Sequence, residues 1–205
     1  MKGSALQIGT VLDLFEQHAA TSPDAIALLS PSGELSYREL SERVQHTAAF
    51  MRTQLQAVGS VNLPLADTPP RIALHYPPSD NLVVGLLSAL ASGCCCVPIA
   101  ATAPTERILA LIEDAQPALL LGPAADPEEL AAASGELKRF DVAAMQQEDR
   151  SLKSLVPHQA RPVEAAVALY TSGTSGQPKA VLMTHQGFAN LAPVSYTHLT
   201  LPTKA

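Results

Sequence analysis

The sequence predicts an α/β fold in which a mainly parallel sheet is flanked by helices. Near-continuous apolar runs at residues 71–76, 94–99 and 118–121 alternate with segments that have helical apolar spacing. Strands buried on both faces are typical of parallel sheets, and the helices between them supply the crossovers that such sheets need. With 205 residues, 47% of them apolar, the chain is long enough to bury a core.

Two capped helices are predicted before this region. The first covers residues 10–20, with Thr10 as its N-cap. After a strand at residues 25–29 and a turn, Ser36 and Glu39 form an S-x-x-E capping box for the second helix. This helix carries an apolar stripe that we expect to lie on the core, at Leu40, Val44, Ala48, Met51 and Leu55.

The remaining elements are predicted from caps, prolines and glycines. Ser79 is a suitable N-cap, Gly93 can close the helix that Ser79 begins, and Pro104 fits the first turn of the next helix. The predicted segments are a loop at 58–70, helices at 80–92, 104–116 and 127–133, and an irregular connection at 139–161.

Composition restricts the partners and the location of the protein. The formal net charge of −6, the 4% aromatic content and the absence of tryptophan all disfavour nucleic-acid binding. The N-terminus lacks a secretory signal, and the apolar stretch at residues 82–97 is too short for a transmembrane helix. We therefore expect a cytoplasmic protein without a transmembrane segment, and peroxisomal targeting is left open.

The three cysteines are contiguous, at Cys94, Cys95 and Cys96. On a strand they would alternate between the two faces, and they lack the spacing of a zinc site. We expect them to be reduced packing residues. Because the six histidines also form no paired pattern, we assign no metal site.

The strongest functional signal lies at residues 167–185. Apolar runs at 163–170 and 180–183 enclose small, polar and turn-forming residues, which predicts a strand, a loop and a strand. Glycines can turn consecutive N–H groups inward as an anion nest, hydroxyls add donors, and a lysine adds a full positive charge. We expect a polyphosphate to bind at Thr171, Ser172, Gly173, Thr174, Ser175, Gly176 and Lys179.

This loop has two other possible interpretations besides phosphate binding. A Walker loop has the form G-x-x-x-x-G-K-[ST] and opens a helix, whereas a strand is predicted after Lys179. A plain Ser/Gly-rich hairpin turn is the second alternative, although a turn alone has no need of a lysine held by Pro178.

The segment YTSGTSGQPKAV, at residues 170–181, resembles the phosphate-binding signature of the adenylate-forming superfamily. That superfamily includes acyl- and aryl-CoA ligases, the adenylation domains of peptide synthetases and luciferase-like enzymes. Three earlier segments are similar to further family motifs, namely LSYREL at 35–40, LSALASGCCCVP at 87–98 and PTER at 104–107. Departures from the usual pattern occur at Ser175, Ala180, Cys96, Ala100 and residues 63–70.

The resemblance implies a two-step reaction. A carboxylate attacks the α-phosphate of ATP in the presence of Mg²⁺, pyrophosphate leaves, and the acyl group passes to the thiol of coenzyme A or of a carrier pantetheine. Lys179 would stabilise the departing pyrophosphate as a catalytic residue. We place an acyl-CoA synthetase slightly ahead of a peptide-synthetase adenylation domain, and a non-catalytic nucleotide-binding or dimerising half-domain is the third alternative.

The resemblance covers the first part of the large domain of such enzymes. In the family, the acyl pocket and the catalytic lysine of the small domain follow this loop, so we expect the chain alone to be inactive. We predict a partial AMP-binding domain at residues 1–193 and a non-native or disordered tail at 194–205, where VSYTHL resembles a translated sequencing adapter. We also expect the strands at 71–76, 94–99 and 118–121 to expose edges.

Overall fold

The computed structural model describes residues 9–59, 69–123, 137–147, 158–172 and 178–198. Their helices are α1 (Val11–Thr21), α2 (Tyr37–Ala57), α3 (Asp80–Ala91), α4 (Thr105–Ala115), α5 (Val142–Met145) and α6 (His185–His198). Their strands are β1 (Ile26–Ser30), β2 (Gly33–Ser36), β3 (Arg71–Tyr76), β4 (Cys95–Ala100), β5 (Leu119–Leu121), β6 (Arg139–Phe140), β7 (Ala165–Ser172) and β8 (Pro178–Thr184). The predicted helix at 127–133, and residues 60–68 of the predicted loop, lie outside the described residues.

The main sheet has six strands in the order β6-β5-β3-β4-β7-β8. Its neighbouring strands are parallel, except that β7 and β8 form an antiparallel pair. β1 and β2 form a separate two-stranded hairpin. The predicted class, a mainly parallel sheet flanked by helices, is therefore confirmed.

Helices cover both faces of the main sheet. On one face, Ile72 of β3 belongs to the same buried cluster as Val44 of α2 and residues of α3. On the other face, Ala73 of β3 lies in a second cluster with Ile108 of α4. Because alternate residues of β3 enter different clusters, this strand is buried on both sides, which explains its continuous apolar sequence.

The predicted caps of the first helices are present. The Thr10 hydroxyl accepts a hydrogen bond from the Asp13 N–H at 3.1 Å, and the Asp13 carboxylate accepts one from the Thr10 N–H at 2.6 Å. Ser36 and Glu39 form the same reciprocal box at the start of α2. The predicted stripe of α2 is buried at each of its positions, namely Leu40, Val44, Ala48, Met51 and Leu55.

The close packing of α2 against α3 depends on small side chains. The buried Ser88 hydroxyl donates to the Val44 carbonyl at 3.1 Å, one turn away from a similar bond between Ser92 and the Ala48 carbonyl at 3.3 Å. Gly93 then ends the helical segment at a positive φ of 79°. α3 and β4 are thus the helix predicted at residues 80–92 and the buried strand predicted at residues 94–99.

The cysteines are buried and free, and they enter different clusters. Cys94 and Cys96 lie in the cluster under α2 and α3, and Cys95 lies in a third cluster on the opposite face. Burial raises the pKa of the Cys94 thiol to about 12 and that of the Cys95 thiol to about 11. The prediction that they are packing residues is confirmed.

Three predictions about secondary structure were wrong. The segment 139–161 contains β6 and the short helix α5, so it is not irregular throughout. β2 was not predicted, because GELS is a short strand with two exposed residues. α6 continues through Pro193 to His198, although the sequence loses helical periodicity at Pro193 and proline disfavours the interior of a helix.

The prediction about sheet edges was also wrong. β3, β4 and β5 lie inside the sheet, because β6 pairs with the outer side of β5, and β7 pairs with the outer side of β4 and is followed by β8. Within the described residues the outer strands are β6 and β8. β8 exposes Val181 and Leu182, with Leu169 of β7 beside them.

None of the helices in the described part of the chain combines the length and the apolar character that crossing a membrane requires.

Candidate functional site

The predicted strand, loop and strand form a hairpin at one side of the main sheet. β7 lies parallel to β4, with Val167 opposite Cys96, and ends at Ser172. β8 returns antiparallel to β7, and the last pairs before the turn are Thr171 with Lys179 and Ser172 with Pro178. β7 therefore ends, next to the beginning of β8, at the carboxyl end of a parallel strand, where ligands of open α/β sheets bind.

The side chains of Thr171 and Lys179 share one face of this hairpin. They are direct cross-strand partners, and both are exposed. Among the described residues, no carboxylate forms an ion pair with Lys179. The positive charge of Lys179 is therefore available to an anion.

The structure brings together the two ends of the predicted phosphate-binding segment. Thr171 and Lys179 face each other, and the backbone of Ser172 lies beside them in the last pair. The other predicted residues, Gly173, Thr174, Ser175 and Gly176, lie outside the described residues. Their role in phosphate binding stays a prediction.

Tyr170, the residue before this pair, contacts a side chain that the sequence analysis did not single out. Its phenol donates a hydrogen bond to the Asp114 carboxylate of α4 at 2.5 Å. Burial raises the pKa of Tyr170 to about 12, and the hydrogen bond to Asp114 and its negative charge act in the same direction. In the sequence, the available signal was an acidic residue in the last turn of a helix, where the helix dipole disfavours it.

A second polar cluster holds the opposite end of β7. The Glu164 carboxylate accepts from Arg161 Nε at 2.5 Å and bonds His158 Nε2 at 3.0 Å. Burial alone would raise the pKa of Glu164, but these hydrogen bonds outweigh it and lower the pKa to about 2. The Glu164 carbonyl accepts from the N–H of His185, the first residue of α6.

His185 is buried in the same region. Burial lowers the pKa of its imidazole, and its Nδ1 atom has no hydrogen-bond partner among the described residues. The cluster and His185 lie before β7 and after β8, at the end of the hairpin away from the Thr171–Lys179 pair. We therefore assign them to holding the hairpin and not to the candidate site.

The part of the chain that the structure describes contains no group of three or more His, Cys, Asp or Glu side chains arranged to hold a metal ion.

A parallel sheet covered by helices, with a lysine-bearing hairpin at the carboxyl end of one strand, defines an α/β protein with a candidate anion site. The model of the AMP-binding enzyme family matches residues 15–202, so this chain belongs to that family. The resemblance identified from the motifs is confirmed.

Several curated relatives are large peptide synthetases. Tyrocidine synthase 3 of Brevibacillus parabrevis is 37% identical over 183 residues, which are 88% of this chain and 3% of that protein. Gramicidin S synthase 2 of Brevibacillus brevis is 33% identical over 180 residues, which are 88% of this chain and 4% of that protein. The chain thus spans a small fraction of the length of these relatives.

Solved structures show the same fold. A complex of VinN with 3-methylaspartate superposes with a TM-score of 0.77 at 22% identity, over 94% of this chain and 52% of VinN. The N-terminal subdomain of Klebsiella oxytoca NpsA gives a TM-score of 0.72 at 25% identity, over 90% of this chain and 45% of the other. This chain therefore superposes on about half of each matched chain.

Proposed function

We propose that this chain is part of a peptide-synthetase adenylation domain, which activates a carboxylic acid with ATP and passes it to the pantetheine thiol of a carrier protein. The observation that carries the proposal is the identity of 37% to tyrocidine synthase 3 across 88% of this chain. Gramicidin S synthase 2, at 33% identity, supports the same choice. These relatives favour the peptide synthetase over the acyl-CoA synthetase that the sequence motifs placed first.

In the first half-reaction, a carboxylate oxygen of the acid forms a bond to the α-phosphorus of ATP. The bond from that phosphorus to the oxygen bridging to the β-phosphate breaks, and pyrophosphate leaves with the electron pair. Mg²⁺, bound with ATP, would neutralise part of the phosphate charge. In the second half-reaction, a thiol displaces AMP from the acyl-adenylate and becomes a thioester.

The contribution of this chain is to hold the phosphates that leave. Lys179 is exposed, lies directly opposite Thr171 and makes no ion pair with any described carboxylate. Its ammonium group would balance the charge that develops on the β- and γ-phosphates, and the Thr171 hydroxyl would add a donor. Groups positioned in advance in this way stabilise a transition state without reorganising during the reaction.

The test removes the charge of Lys179 in the complete domain that contains these residues. Lys179→Ala should slow acid-dependent ATP–pyrophosphate exchange about 10²- to 10³-fold, as losses of a preorganised donor do. Transfer to the carrier thiol from a synthetic acyl-adenylate should survive, because pyrophosphate has already left. Unfolding by urea should be nearly unchanged, since Lys179 is exposed.

Lys138→Ala is the matched control, because Lys138 is also exposed and lies beside β6 on the other side of the sheet. It should leave both half-reactions unchanged. Equal loss of both half-reactions in folded Lys179→Ala protein would contradict the assigned role. A panel of amino acids, aryl acids and fatty acids, tested with carrier pantetheine and with coenzyme A, separates the synthetase from the CoA ligase. Nucleotide binding without any exchange would instead support a non-catalytic domain.

A further inference from the structure

We propose that Asp114 and Tyr170 are positioning residues, which fix the Thr171–Lys179 pair at the distance that phosphate binding requires. The inference rests on the proposed function, because it concerns how the same site is held. It adds Asp114 of α4, a residue 56 positions from Tyr170 in the sequence, to the determinants of that site.

The hairpin is attached to the rest of the domain at more than one place along β7. The pairing of β7 with β4 is described at Val167 and Cys96, three residues before Tyr170. Farther along β7, the Tyr170 side chain packs against buried clusters on the α4 face and bonds Asp114 at 2.5 Å. This side chain is therefore a separate attachment between the hairpin and α4, close to the Thr171–Lys179 pair.

Asp114 lies at an electrostatically unfavourable position in α4. It is the penultimate residue of α4, preceded by Glu113, so two acidic residues occupy the last turn. A negative charge at a helix C-terminus is disfavoured, because the helix dipole is negative there. A neutral residue at position 114 would avoid this unfavourable interaction with the helix dipole. In this protein the hydrogen bond from Tyr170 to Asp114 offsets it.

α4 is itself fixed to the sheet at this turn. Arg71 of β3 donates a hydrogen bond to the carbonyl of Ala115 at 2.8 Å. The last turn of α4 thus contacts β3 through Arg71 and β7 through Tyr170. A displacement of the Tyr170 ring would have to move against an anchored helix end.

Tyr170 lies next to the candidate site in the β7–β8 pairing. Tyr170 pairs with Ala180, and the next pair is Thr171 with Lys179. Within the described sheet, β8 has β7 as its one neighbour, so the place of Lys179 follows the place of β7. Since errors of about 1 Å can cost 10²-fold in rate, a small shift of this pair is enough to matter.

The test compares variants at both positions in the complete domain. Tyr170→Phe keeps the ring and removes the hydroxyl, Asp114→Ala removes the acceptor, and Asp114→Asn keeps an acceptor oxygen. We expect Tyr170→Phe and Asp114→Ala to raise the KM for ATP roughly tenfold in pyrophosphate exchange. The KM for the acid and the transfer half-reaction should stay unchanged, Asp114→Asn should recover most of the loss, and the double variant should be no worse than either single one.

Amide hydrogen exchange supplies a readout that does not depend on catalysis. Loss of the bond should accelerate exchange at Thr171 and Lys179 while exchange in β3 stays unchanged. Tyr76→Phe is the matched control, because it removes another tyrosine–aspartate bond, to Asp141 at 3.0 Å, from β3. That variant should lower stability without raising the KM for ATP.

The possible outcomes separate this inference from the proposed function. If the unsubstituted domain exchanges pyrophosphate and both single variants match it in ATP KM and in amide exchange, the positioning role is wrong. If no acid supports pyrophosphate exchange in the unsubstituted domain, the proposed function is wrong. The positioning role is tested separately, because unchanged amide hydrogen exchange in Tyr170→Phe would overturn it whether or not the domain is active. An equal fall of both half-reactions in the variants would indicate a general loss of folded protein and would also contradict the positioning role.

Discussion

Gly93 occupies a backbone conformation that other residues adopt only with strain. Its φ is +79°, and a Cβ atom placed there would lie 3.1 Å from the His158 ring. Gly93→Ala should therefore destabilise the domain by about 2 kcal/mol, because the left-handed region penalises L-residues and the ring must also move. Urea unfolding measures the change.

Gly85→Ala is the control for that substitution. Gly85 lies inside α3, and a Cβ atom there would make ordinary contacts, the shortest being 3.4 Å to Val142. Alanine also has the higher helix propensity, so this variant should be neutral or slightly stabilising. Destabilisation of the two variants by the same amount would contradict the explanation for Gly93.

Glu164 should make the stability of the domain depend on pH in the acidic range. Its folded pKa of about 2 is below its ordinary value of 4.5, so its contribution is complete above pH 4.5 and is lost as the pH falls towards 2. Glu164→Gln should lower the unfolding free energy at pH 7 by about 2 kcal/mol. The difference from the unsubstituted protein should shrink below pH 4.5.

Urea unfolding at a series of pH values tests this, with Glu34→Gln as the control, because Glu34 is exposed on β2. The folded protein also loses stability as the pH falls below 6.5, because burial lowers the pKa of His185. The unfolded chain then takes up a proton at this imidazole more readily than the folded protein does. Glu34→Gln shares that loss with the unsubstituted protein, whereas Glu164→Gln increases it, because the charge of Glu164 raises the pKa of His185. This additional difference also disappears as Glu164 itself becomes protonated at low pH. A difference between Glu164→Gln and the unsubstituted protein that stays constant down to pH 3 would contradict the assignment.

At the same scale, the sequence predicted Thr171 and Lys179 as candidate phosphate-binding residues but did not single out Asp114. The first two stand next to glycines and a proline in one short segment, where local composition indicates an anion site. Asp114 contacts Tyr170 across 56 residues, and its acidic side chain in the last turn of a helix was the one local sign of a partner, without indicating which residue that partner is. The position of such a partner depends on how α4 crosses the sheet.

At the scale of elements, helix caps and continuous apolar runs were the most reliable predictors of helices and strands. Thr10 and Ser36 each form the expected reciprocal box, and β3 begins and ends at the predicted residues, 71 and 76. Short elements were missed, because the two-residue strand β6 and the four-residue helix α5 are held by their neighbours. Gln146, just after α5, for example, donates a hydrogen bond to the carbonyl of Arg43 in α2 at 3.0 Å.

At the scale of the whole molecule, the parallel character of the sheet was predictable but its strand order was not. A continuous apolar run indicates that a strand is buried on both faces of a sheet, as β3, β4 and β5 are. It does not indicate which strands pair with that strand. Two strands that follow much later in the chain, β6 and β8, take the outer positions. Their placement depends on contacts between distant segments.

The outer strand β8 makes association the expected behaviour of the 205-residue chain on its own. Val181 is 53% exposed, Leu182 is 49% exposed, and Leu169 of β7 is 40% exposed. An edge strand with apolar side chains offers both hydrogen-bonding groups and apolar surface to another copy. Sedimentation velocity should therefore show oligomers or aggregates.

Val181→Lys with Leu182→Lys should shift the chain towards monomers. Leu29→Lys is the control, since Leu29 is 74% exposed but lies on the separate β1–β2 hairpin. It should leave the association unchanged. A monomeric, cooperatively melting chain without any substitution would contradict this prediction.

The buried thiols of Cys94, Cys95 and Cys96 can report on local or global unfolding of the core. The chain has three cysteines and no tryptophan, so fluorescence offers little signal, whereas each thiol is inaccessible and protonated in the folded state. A maleimide or disulfide reagent can react only when the centre of the sheet becomes accessible. The rate of labelling under native conditions therefore measures how often the core opens, and a single cysteine engineered on the surface would carry a dye without competition from the natural ones.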